Sequence, residues 1–541
     1  MIFGAVPLHE AEGAILAHSH RLSGRTLKKG RILTAQDIDD LRQASHESVI
    51  CARIEPDDML EDDAANLLAG AVCGANLSRA VAFTGRCNLF AEADGIVLYD
   101  PNRLDGFNQV DEAVTLGVVP PYQHVGKGQM VATLKIIPFA LPATVTRIAA
   151  AIAQSGGSLI RVAPFGPRAA GLVQSRLAGT KDSVLDSTRT VTEARLEAIG
   201  SSLVHEVRCE HETARVSRGI SQLRERGADL VLVSGASAVV DRRDVVPAAI
   251  EQAGGRILHF GMPVDPGNLM LIAAIDDVPV IGMPGCARSP RLNGFDWVLQ
   301  RIAAGLDVRA NDIMGMGAGG LLKDVSARPL PRARARRDAP APARRPRIAA
   351  LLLAAGQSRR MGSRNKLLAD VDGVPMIRRT AENLLSSAAR PVVVVTGHQA
   401  KETQRVLDGL NVIMVHNPSH ATGLSSSLKA GLGKLPDDAD GVVVCLGDMP
   451  LVTDTTINRL MAAYDPVEGR AICVPTWKGK RGNPVLWDRQ FFGDMAELSG
   501  DVGARHLIGT HGELVVEVEM KDDGVMVDID TPEALARVNG T

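Results

Sequence analysis

The stretch RPLPRARARRDAPAPARRPR, at positions 328–347, is the sequence feature that most restricts the possible folds of this chain. It contains eight arginines, and Leu330 is its only large apolar residue. A segment of this composition cannot bury a core, and its prolines keep it extended, so it is predicted to be a semi-rigid linker between domains. The alternative is an arginine patch that grips nucleic acid or phosphate. The linker interpretation separates an N-terminal part from a C-terminal domain at residues 348–541.

Composition restricts the class of protein. Of 541 residues, 45% are hydrophobic and 23% are charged, which is typical of a globular chain, and the net charge of −2 favours neither nucleic acid nor a membrane as partner. No run of about 18 apolar residues predicts a membrane-spanning helix, and the N-terminus lacks the pattern of a signal peptide. The seven cysteines form no C-x-x-C pair and are interpreted as small buried hydrophobic residues. A reduced, cytoplasmic setting is expected.

The C-terminal domain alternates strand and helix signals. Strands are predicted at 348–353, 391–397, 412–415 and 441–448, and helices at 376–387, 401–410 and from 425. Such β-α units predict an α/β, Rossmann-like fold with an open, mostly parallel sheet. Ligands of such sheets bind at the carboxyl ends of the strands.

The N-terminal part divides less cleanly. Residues 1–165 mix short segments and turns and include the strand-like stretch 128–141, so this region is predicted to be mixed and is assigned no chemistry. Residues 166–327 again read as an α/β unit. Its predicted strands are 201–210, 228–237 and a pair around 270–275 and 278–285, and its predicted helices are 217–226 and 245–253.

The stretch LLLAAGQSRRMGSRNK opens the C-terminal domain. Its strand ends in Ala354-Ala355-Gly356, where small side chains let backbone amides approach a ligand and form an anion-binding concavity. Arg360 and Lys366 follow closely and can neutralise a triphosphate and its leaving pyrophosphate. The pattern predicts a phosphate-binding loop.

Two acidic positions complete this chemistry. Asp448 ends a predicted strand, and Asp530 directly precedes Thr531, a predicted N-cap with Pro532 at the first helical position. Two carboxylates suit Mg²⁺, and together with a Lys/Arg pair they are sufficient for nucleotidyl transfer.

The C-terminal domain resembles the molybdenum cofactor cytidylyltransferases, within the nucleotidyltransferase family that also contains the guanylyltransferase of the same pathway. The motifs that carry the resemblance are LAAGxSxRMGxxxK (353–366), VVVVTGH (392–398), NPSHATGLSSSL (417–428), LGDMPLV (446–452), RGNPVLW (481–487), GDVGAR (500–505) and DIDTPEAL (528–535). They cover essentially the whole domain.

The resemblance implies a role for each matching position. Contact with the nucleotide is implied for Leu353, Ala354, Ala355, Gly356, Ser425, Ser426 and Ser427. Catalysis is implied for Lys366, Arg360 and Asp448, and Mg²⁺ binding for Asp448 and Asp530. Contact with the pterin substrate is implied for Arg481, Gly482, Asn483, Pro484, Asp501 and Arg505. Guanine-selecting relatives read LAGG where this chain reads LAAG, which favours CTP.

The N-terminal part carries a second candidate site. After the strand LVLVSGAS, small residues and helix amides can seat a phosphate, and Asp241 and Asp244 are candidates for binding a pterin amine or Mg²⁺. Two ordinary turns are the alternative. Residues 170–310 resemble the molybdopterin-binding domain shared by molybdenum-insertion and molybdopterin-adenylating enzymes. The resemblance implies pterin contacts for Ser234, Gly235, Ser237, Asp241, Asp244, Pro284 and Gly285.

This second resemblance has departures. The family's acidic T-G-D-E turn falls near 178–182, where Lys181 breaks the pattern, and LDGFN (104–108) only faintly matches M-D-G-Y-A. Pterin binding is therefore expected, and molybdate insertion is in doubt.

Together these features predict a cytoplasmic protein of molybdenum cofactor maturation that transfers CMP from CTP to molybdopterin with Mg²⁺. Its N-terminal half would bind molybdopterin and insert molybdenum or pass the ligand on, with a molybdoenzyme or its chaperone as protein partner. Two alternatives stay open. The N-terminal half is a non-catalytic pterin carrier, or the C-terminal domain uses GTP or a sugar or polyol phosphate acceptor.

Overall fold

A computed structural model describes residues 1–22, 25–322, 344–356, 365–466, 469–498, 500 and 504–539, without the side chain of Arg505. The chain forms two compact units. The N-terminal unit comprises 1–59, 67–79 and 88–344, and the C-terminal unit comprises 60–66, 80–87 and 345–541. The predicted linker at 328–347 lies outside the described residues except for its last four positions.

Up to residue 322 the strands are β1 (Ile2–Pro7), β2 (Ile15–Leu16), β3 (His20–Leu22), β4 (Arg25–Leu27), β5 (Ser48–Arg53), β6 (Asp58–Leu60), β7 (Leu77–Arg79), β8 (Arg86–Ala91), β9 (Gly95–Leu98), β10 (Val114–Val118), β11 (His124–Val125), β12 (Met130–Ile136), β13 (Ala140–Pro142), β14 (Arg161–Pro164), β15 (Ala169–Arg176), β16 (Ser202–Glu210), β17 (Leu230–Ser234), β18 (Arg256–Phe260), β19 (Leu271–Ile275) and β20 (Val278–Met283). The helices are α1 (Ala35–Gln43), α2 (Glu61–Val72), α3 (Pro101–Asn108), α4 (Ala143–Gln154), α5 (Asp182–Glu197), α6 (Thr213–Glu225), α7 (Val245–Gln252), α8 (Gly294–Ala303) and α9 (Ala310–Met314).

From residue 348 the strands are β21 (Ile348–Ala354), β22 (Asp370–Val371), β23 (Val374–Pro375), β24 (Val392–Thr396), β25 (Ile413–His416), β26 (Gly441–Leu446), β27 (Ile472–Trp477), β28 (Lys480–Arg481), β29 (Val485–Asp488) and β30 (Val515–Glu519). The helices are α10 (Met376–Ser386), α11 (Ala400–Val406), α12 (Leu424–Leu432), α13 (Asp454–Ala463), α14 (Phe492–Glu497), α15 (Arg505–Thr510) and α16 (Pro532–Val538). Among all described helices, none is both long and apolar enough to span a membrane.

One sheet of the C-terminal unit has the order β25-β24-β21-β26-β29-β27-β28, and β30 pairs with β27. Strands β25, β24, β21 and β26 are mutually parallel, which confirms the predicted α/β fold. Strand β29 runs antiparallel to both β26 and β27, and β28 runs antiparallel to β27, whereas β30 pairs with β27 in parallel. Six of the eight strands therefore point the same way, and the sheet is mostly parallel, as predicted. Strand β28 reverses direction because the turn Lys478–Gly479 joins β27 to β28 directly and leaves no room for a crossover helix.

Strand β21 is buried along its whole length, and its side chains alternate between two hydrophobic clusters. Leu352 packs in a cluster with residues of α10 and α13, and Leu351 packs in a second cluster with residues of α12, α14 and α15. Helices therefore cover both faces of the sheet, which leaves the strand ends as the place where a ligand can reach it.

The N-terminal unit contains a six-stranded sheet of order β16-β15-β17-β20-β19-β18. Strands β16, β15, β17 and β20 are parallel to one another, whereas β19 runs antiparallel to both of its neighbours, β20 and β18. The predicted strand pair is the β19–β20 hairpin. Residues 1–165 form smaller sheets, among them β1-β5-β2 and β10-β12-β8-β7.

Candidate active site

The carboxyl edge of the C-terminal sheet begins with the loop that follows β21. Ala354 ends the strand and Ala355 is only 6% exposed. A Cβ atom added to Gly397 would lie 2.8 Å from the Ala355 Cβ and 2.5 Å from the His420 Cβ. Ala355 is thus enclosed by the ends of neighbouring elements, and its methyl group limits the space at this edge.

A lysine and two aspartates converge beside this loop and form the lysine–carboxylate cluster (Lys366, Asp448 and Asp530). The Lys366 ammonium lies 2.5 Å from Asp448 Oδ2 and also binds Asp530 Oδ1. The three side chains are 14%, 17% and 33% exposed, in that order. Residues distant in sequence therefore share one partly buried point at the sheet edge.

Backbone contacts explain why the cluster forms. Gly447, directly after β26, donates its N–H to the Leu353 carbonyl at 3.0 Å, which sets Asp448 beside the end of β21. The Ile529 N–H donates to the Asp448 carbonyl at 2.9 Å, and the Ile529 side chain is fully buried. The neighbouring Asp530 is thereby brought to Asp448.

The cluster holds Lys366 in its charged form. Burial alone lowers the pKa of Lys366, but the attraction of Asp448, its hydrogen bond and those of Asp530 outweigh burial and raise the pKa above its ordinary value.

The donor set fits Mg²⁺. Asp448 Oδ1 is buried and has no hydrogen-bond partner in the part of the chain that the structure describes, which is costly unless a ligand satisfies it. The described residues contain no group of three or more His, Cys, Asp or Glu side chains arranged to hold a metal. Two carboxylates alone suit an ion that keeps several waters and binds phosphate oxygens, as Mg²⁺ does.

The serines of the motif NPSHATGLSSSL are engaged within the protein. Ser425 Oγ donates to the Gly500 carbonyl at 2.8 Å, and Asn417 Nδ2 donates to Ser426 Oγ at 2.8 Å and to Ser427 Oγ at 3.0 Å. The hydroxyls thus fix the turn before α12. Asn417, which is buried, was missed from the candidate residues, although it begins the quoted motif.

The predicted pterin-facing stretch Arg481–Pro484 lies against residues near Val525. The Asn483 N–H donates to the Val525 carbonyl at 3.0 Å, and a Cβ atom on Gly482 would collide with the Val525 backbone. Arg481 Nε donates to Glu517 Oε1 at 2.8 Å. Gly482 therefore permits a close backbone approach, while Arg481 remains partly exposed.

The family model for the MobA-like NTP transferase domain matches residues 350–515. Purine catabolism protein PucB of Bacillus subtilis is 31% identical over 211 residues, covering 35% of this chain and 95% of that protein. The chain belongs to the MobA-like NTP transferase family.

Other relatives carry different names. The molybdenum cofactor cytidylyltransferase of Escherichia coli is 26% identical, with 34% of this chain and 92% of that protein covered. Nicotine blue oxidoreductase of Paenarthrobacter nicotinovorans is 28% identical, with 36% and 97% covered. A domain of unknown function matches residues 5–53. This MobA-like NTP transferase is thus a nucleotidyltransferase enzyme, and its nucleotide and acceptor need separate arguments.

Three predicted residues of the transferase domain cannot be placed. Arg360 and Asp501 lie outside the described residues, as does the side chain of Arg505. Thr531 is the N-cap of α16, its hydroxyl accepting from the Ala534 N–H, and Pro532 is the first helical residue, as predicted.

The N-terminal unit of this MobA-like NTP transferase places its predicted turns together. Register pairs Ser234 with Met283, so the turn Ser234–Ser237 lies beside Pro284 and Gly285. Arg288 donates to the Gly235 carbonyl at 2.7 Å and ties the two turns. Arg288 was not among the candidate residues. Its position just after Pro284-Gly285 is the sequence signal that could have identified it.

A histidine that sequence reasoning missed lies at the same edge. His211, directly after β16, is hydrogen-bonded through Nδ1 to Ser175 Oγ at 2.8 Å and through Nε2 to Ser237 Oγ at 3.0 Å. The predicted acids stand apart from this network. Asp241 pairs with the exposed Arg243, and Asp244 accepts from the Val245 N–H as the N-cap of α7.

Proposed function

We propose that the domain at 348–541 transfers CMP from CTP to the phosphate of molybdopterin and releases pyrophosphate. The observation that carries this proposal is the lysine–carboxylate cluster at the sheet edge, with Asp448 Oδ1 buried and unpartnered among the described residues. A cation-binding pair of acids next to a lysine is what transfer between two phosphates requires.

The reaction breaks one bond and makes one. An oxygen of the acceptor phosphate bonds to the α-phosphorus of CTP, and the bond from that phosphorus to the β-bridging oxygen breaks, so that pyrophosphate leaves. Mg²⁺ held by Asp448 and Asp530 would neutralise the charge that builds on these oxygens. Lys366 exchanges its carboxylate partners for phosphate oxygens and orients them. The small residues Ala354–Gly356 leave room for the nucleotide at the end of β21.

Two features support CTP as the nucleotide. Ala355 occupies the position where guanine-selecting relatives have glycine, and its methyl group lies beside Gly397 and is almost fully buried. The Escherichia coli relative is named for cytidylyl transfer to the molybdenum cofactor. A guanine ring is larger than cytosine, so the enclosed methyl favours the pyrimidine.

The acceptor is proposed to contact Arg481–Pro484, with Asp501 and Arg505 as further candidates. In the N-terminal unit, we propose that Ser234, Gly235, Ser237, Pro284 and Gly285 bind the pterin before or after its modification. The unit then inserts molybdenum or acts as a carrier that presents the pterin to a molybdoenzyme or its chaperone.

Pyrophosphate release from the purified full chain tests the nucleotide and the acceptor. With molybdopterin and Mg²⁺, we expect turnover with CTP and at least about tenfold less with GTP or ATP, because one enclosed methyl discriminates by about that factor. GTP preference, or no release with any nucleotide, contradicts the proposal. Higher turnover with sugar or polyol phosphates than with molybdopterin would reassign the acceptor.

The role of the N-terminal unit needs its own assay. The full chain carrying Asp448→Asn, which removes cytidylyl transfer, is incubated with molybdopterin and molybdate. Molybdenum bound to the pterin in amounts that increase over time identifies an insertion enzyme, whereas pterin binding without insertion identifies the carrier.

A further inference from the structure

The N-terminal unit contains a cavity of about 620 Å³ whose lining includes none of the residues described at the edge of the N-terminal sheet. Its size is in the range of small-molecule sites. We call it the tyrosine–arginine cavity, after the lining residues Tyr99, Arg103, Tyr122, Arg161 and Arg301. These residues come from strand ends, a loop and helices α3 and α8, so the fold assembles them from distant parts of the sequence.

Arg301, in the last turn of α8, is the most unusual of these residues. Its guanidinium lies 4.0 Å from the centre of the Tyr122 ring. Its Nε is buried without a hydrogen-bond partner among the described residues, and burial lowers the pKa of Arg301. A partly buried guanidinium that stacks on a ring and has an unpartnered, buried Nε among the described residues is costly unless an anion completes its contacts.

Two further arginines line the cavity, and in the described part of the chain neither has a carboxylate within 4.0 Å. Arg103 donates to the Ala153 carbonyl at 2.8 Å and to the Gly157 carbonyl at 2.7 Å, and its Nε is buried without a partner among the described residues. Arg161 is exposed at the start of β14. Arg103 is thus held in place by backbone, and Arg161 is accessible from solvent.

The acids of the lining are engaged locally. Asp307 pairs with Arg309 Nε at 2.7 Å, and Asp312 accepts from the Arg309 N–H at 2.8 Å. Asp312 is the acid whose charge reaches Arg301 and partly offsets the effect of burial. Asp100 caps α3 by accepting from the Asn102 N–H. The carboxylates of the lining are therefore engaged with local partners, and the three arginines supply the hydrogen-bond donors for a ligand.

The tyrosines add a flat surface. Tyr122 is 44% exposed and has a φ of +61°, which is uncommon for a residue with a side chain, and its N–H donates to the Val97 carbonyl at 2.7 Å. Tyr99 donates its hydroxyl to the Val119 carbonyl at 3.0 Å, which fixes its ring. Tyr122 is thus held in a strained conformation that keeps its ring on Arg301.

We propose that the tyrosine–arginine cavity binds a small ligand made of a planar aromatic ring and a carboxylate or phosphate group. Arg161 and Arg301 would bind the anion, and the stacked Tyr122 would contact the ring. This site lies entirely within the N-terminal unit and is independent of the proposed cytidylyl transfer.

Fluorescence anisotropy of pterin-6-carboxylate, titrated with the full chain, tests the proposal. We expect saturable binding, weaker binding of the uncharged 6-hydroxymethylpterin, and competition by phenyl phosphate. Arg301→Met and Arg161→Gln should each weaken binding by about tenfold or more, because each removes a charged hydrogen-bond donor. Arg42→Gln, which removes an exposed arginine of α1, is the matched control and should bind as the wild type does.

Two results would overturn the proposal. One is the absence of saturable binding by pterin-6-carboxylate and phenyl phosphate. The other is binding that both arginine variants leave unchanged, which would locate the probe elsewhere, including at the proposed pterin contacts. Pyrophosphate release from CTP is measured in parallel and should stay at the wild-type level in each variant, which separates loss of this site from loss of the transferase activity. Arg161→Gln guards against misfolding, because Arg161 is exposed.

Discussion

The two mostly parallel sheets of this chain carry acids in different surroundings at their carboxyl edges. At the edge of the C-terminal sheet, Asp448 and Asp530 face one ammonium, and a buried carboxylate oxygen has no partner among the described residues. At the edge of the N-terminal sheet, the acids Asp241 and Asp244 pair with a surface arginine or cap a helix.

This contrast shows what a shared topology decides and what it leaves open. Parallel strands bring their carboxyl ends to one edge in both units, and this edge is where a ligand can reach the backbone. The chemistry depends on which side chains remain without protein partners there. An acid that already caps a helix offers less to a cation than Asp448 does.

Removing the charge of Asp448 has the largest expected effect. Asp448→Asn keeps the shape of the side chain but weakens its binding of both the cation and Lys366, so pyrophosphate release should fall on the order of 10³-fold. Steady-state release with saturating CTP and Mg²⁺ measures this effect.

The control for Asp448→Asn is Asp408→Asn, which removes an exposed aspartate of the same domain and should leave the rate unchanged. A wild-type rate in Asp448→Asn would show that the cluster is only an ion pair, and the contrast between the two edges would disappear.

The pH dependence of stability tests the same cluster without an activity assay. Because the folded-state pKa of Lys366 is raised, its stabilisation is present below the ordinary lysine value of about 10.4 and is lost as pH rises through the raised value. The free energy of unfolding of the wild type minus that of Lys366→Met should therefore be constant near pH 8 and shrink above about pH 10.4.

Lys434→Met is the comparison for losing an exposed lysine of the same unit. A Lys366→Met difference that stays constant up to pH 11 would mean that the two carboxylates do not stabilise the ammonium.

Much of the transferase domain was predictable from its sequence. Continuous apolar runs such as Ile348–Leu353 marked the buried parallel strands, and their ends marked the edge where Asp448 lies. The prediction of helix 401–410 was too long, since α11 ends at Val406. The location of residues close to strand ends can be predicted from the sequence, because strand direction alone fixes it.

Other features depend on contacts between residues far apart in sequence, which hydrophobic periodicity does not predict. Asp530 joins Asp448 through a backbone hydrogen bond from Ile529, across about eighty residues of chain. The antiparallel strands β27–β29 are short and flanked by turns, so the alternation of apolar and polar residues along them is weak. His211 and the tyrosine–arginine cavity were not predicted, because the residues that form these contacts are far apart in sequence and match no motif.

A smaller effect is expected at Ala355. Ala355→Gly removes the buried methyl beside Gly397 and opens space for a larger base, so the ratio of GTP to CTP turnover should rise by about tenfold. The matched control is Ala354→Gly, which removes a buried methyl one residue earlier and should leave the ratio unchanged. An unchanged ratio in Ala355→Gly, or an equal rise in both variants, would remove Ala355 from nucleotide selection.

The smallest effect is expected at the acids of the N-terminal edge. Asp244→Ala removes the N-cap of α7 and should lower the free energy of unfolding by about 1 kcal/mol, whereas Asp241→Ala, at an exposed ion pair, should leave it almost unchanged. Chemical denaturation measures both, and neither variant should alter pyrophosphate release. If Asp241→Ala instead weakens molybdopterin binding at unchanged stability, that acid is a ligand, as its motif predicts. The two edges would then differ only in how exposed their acids are.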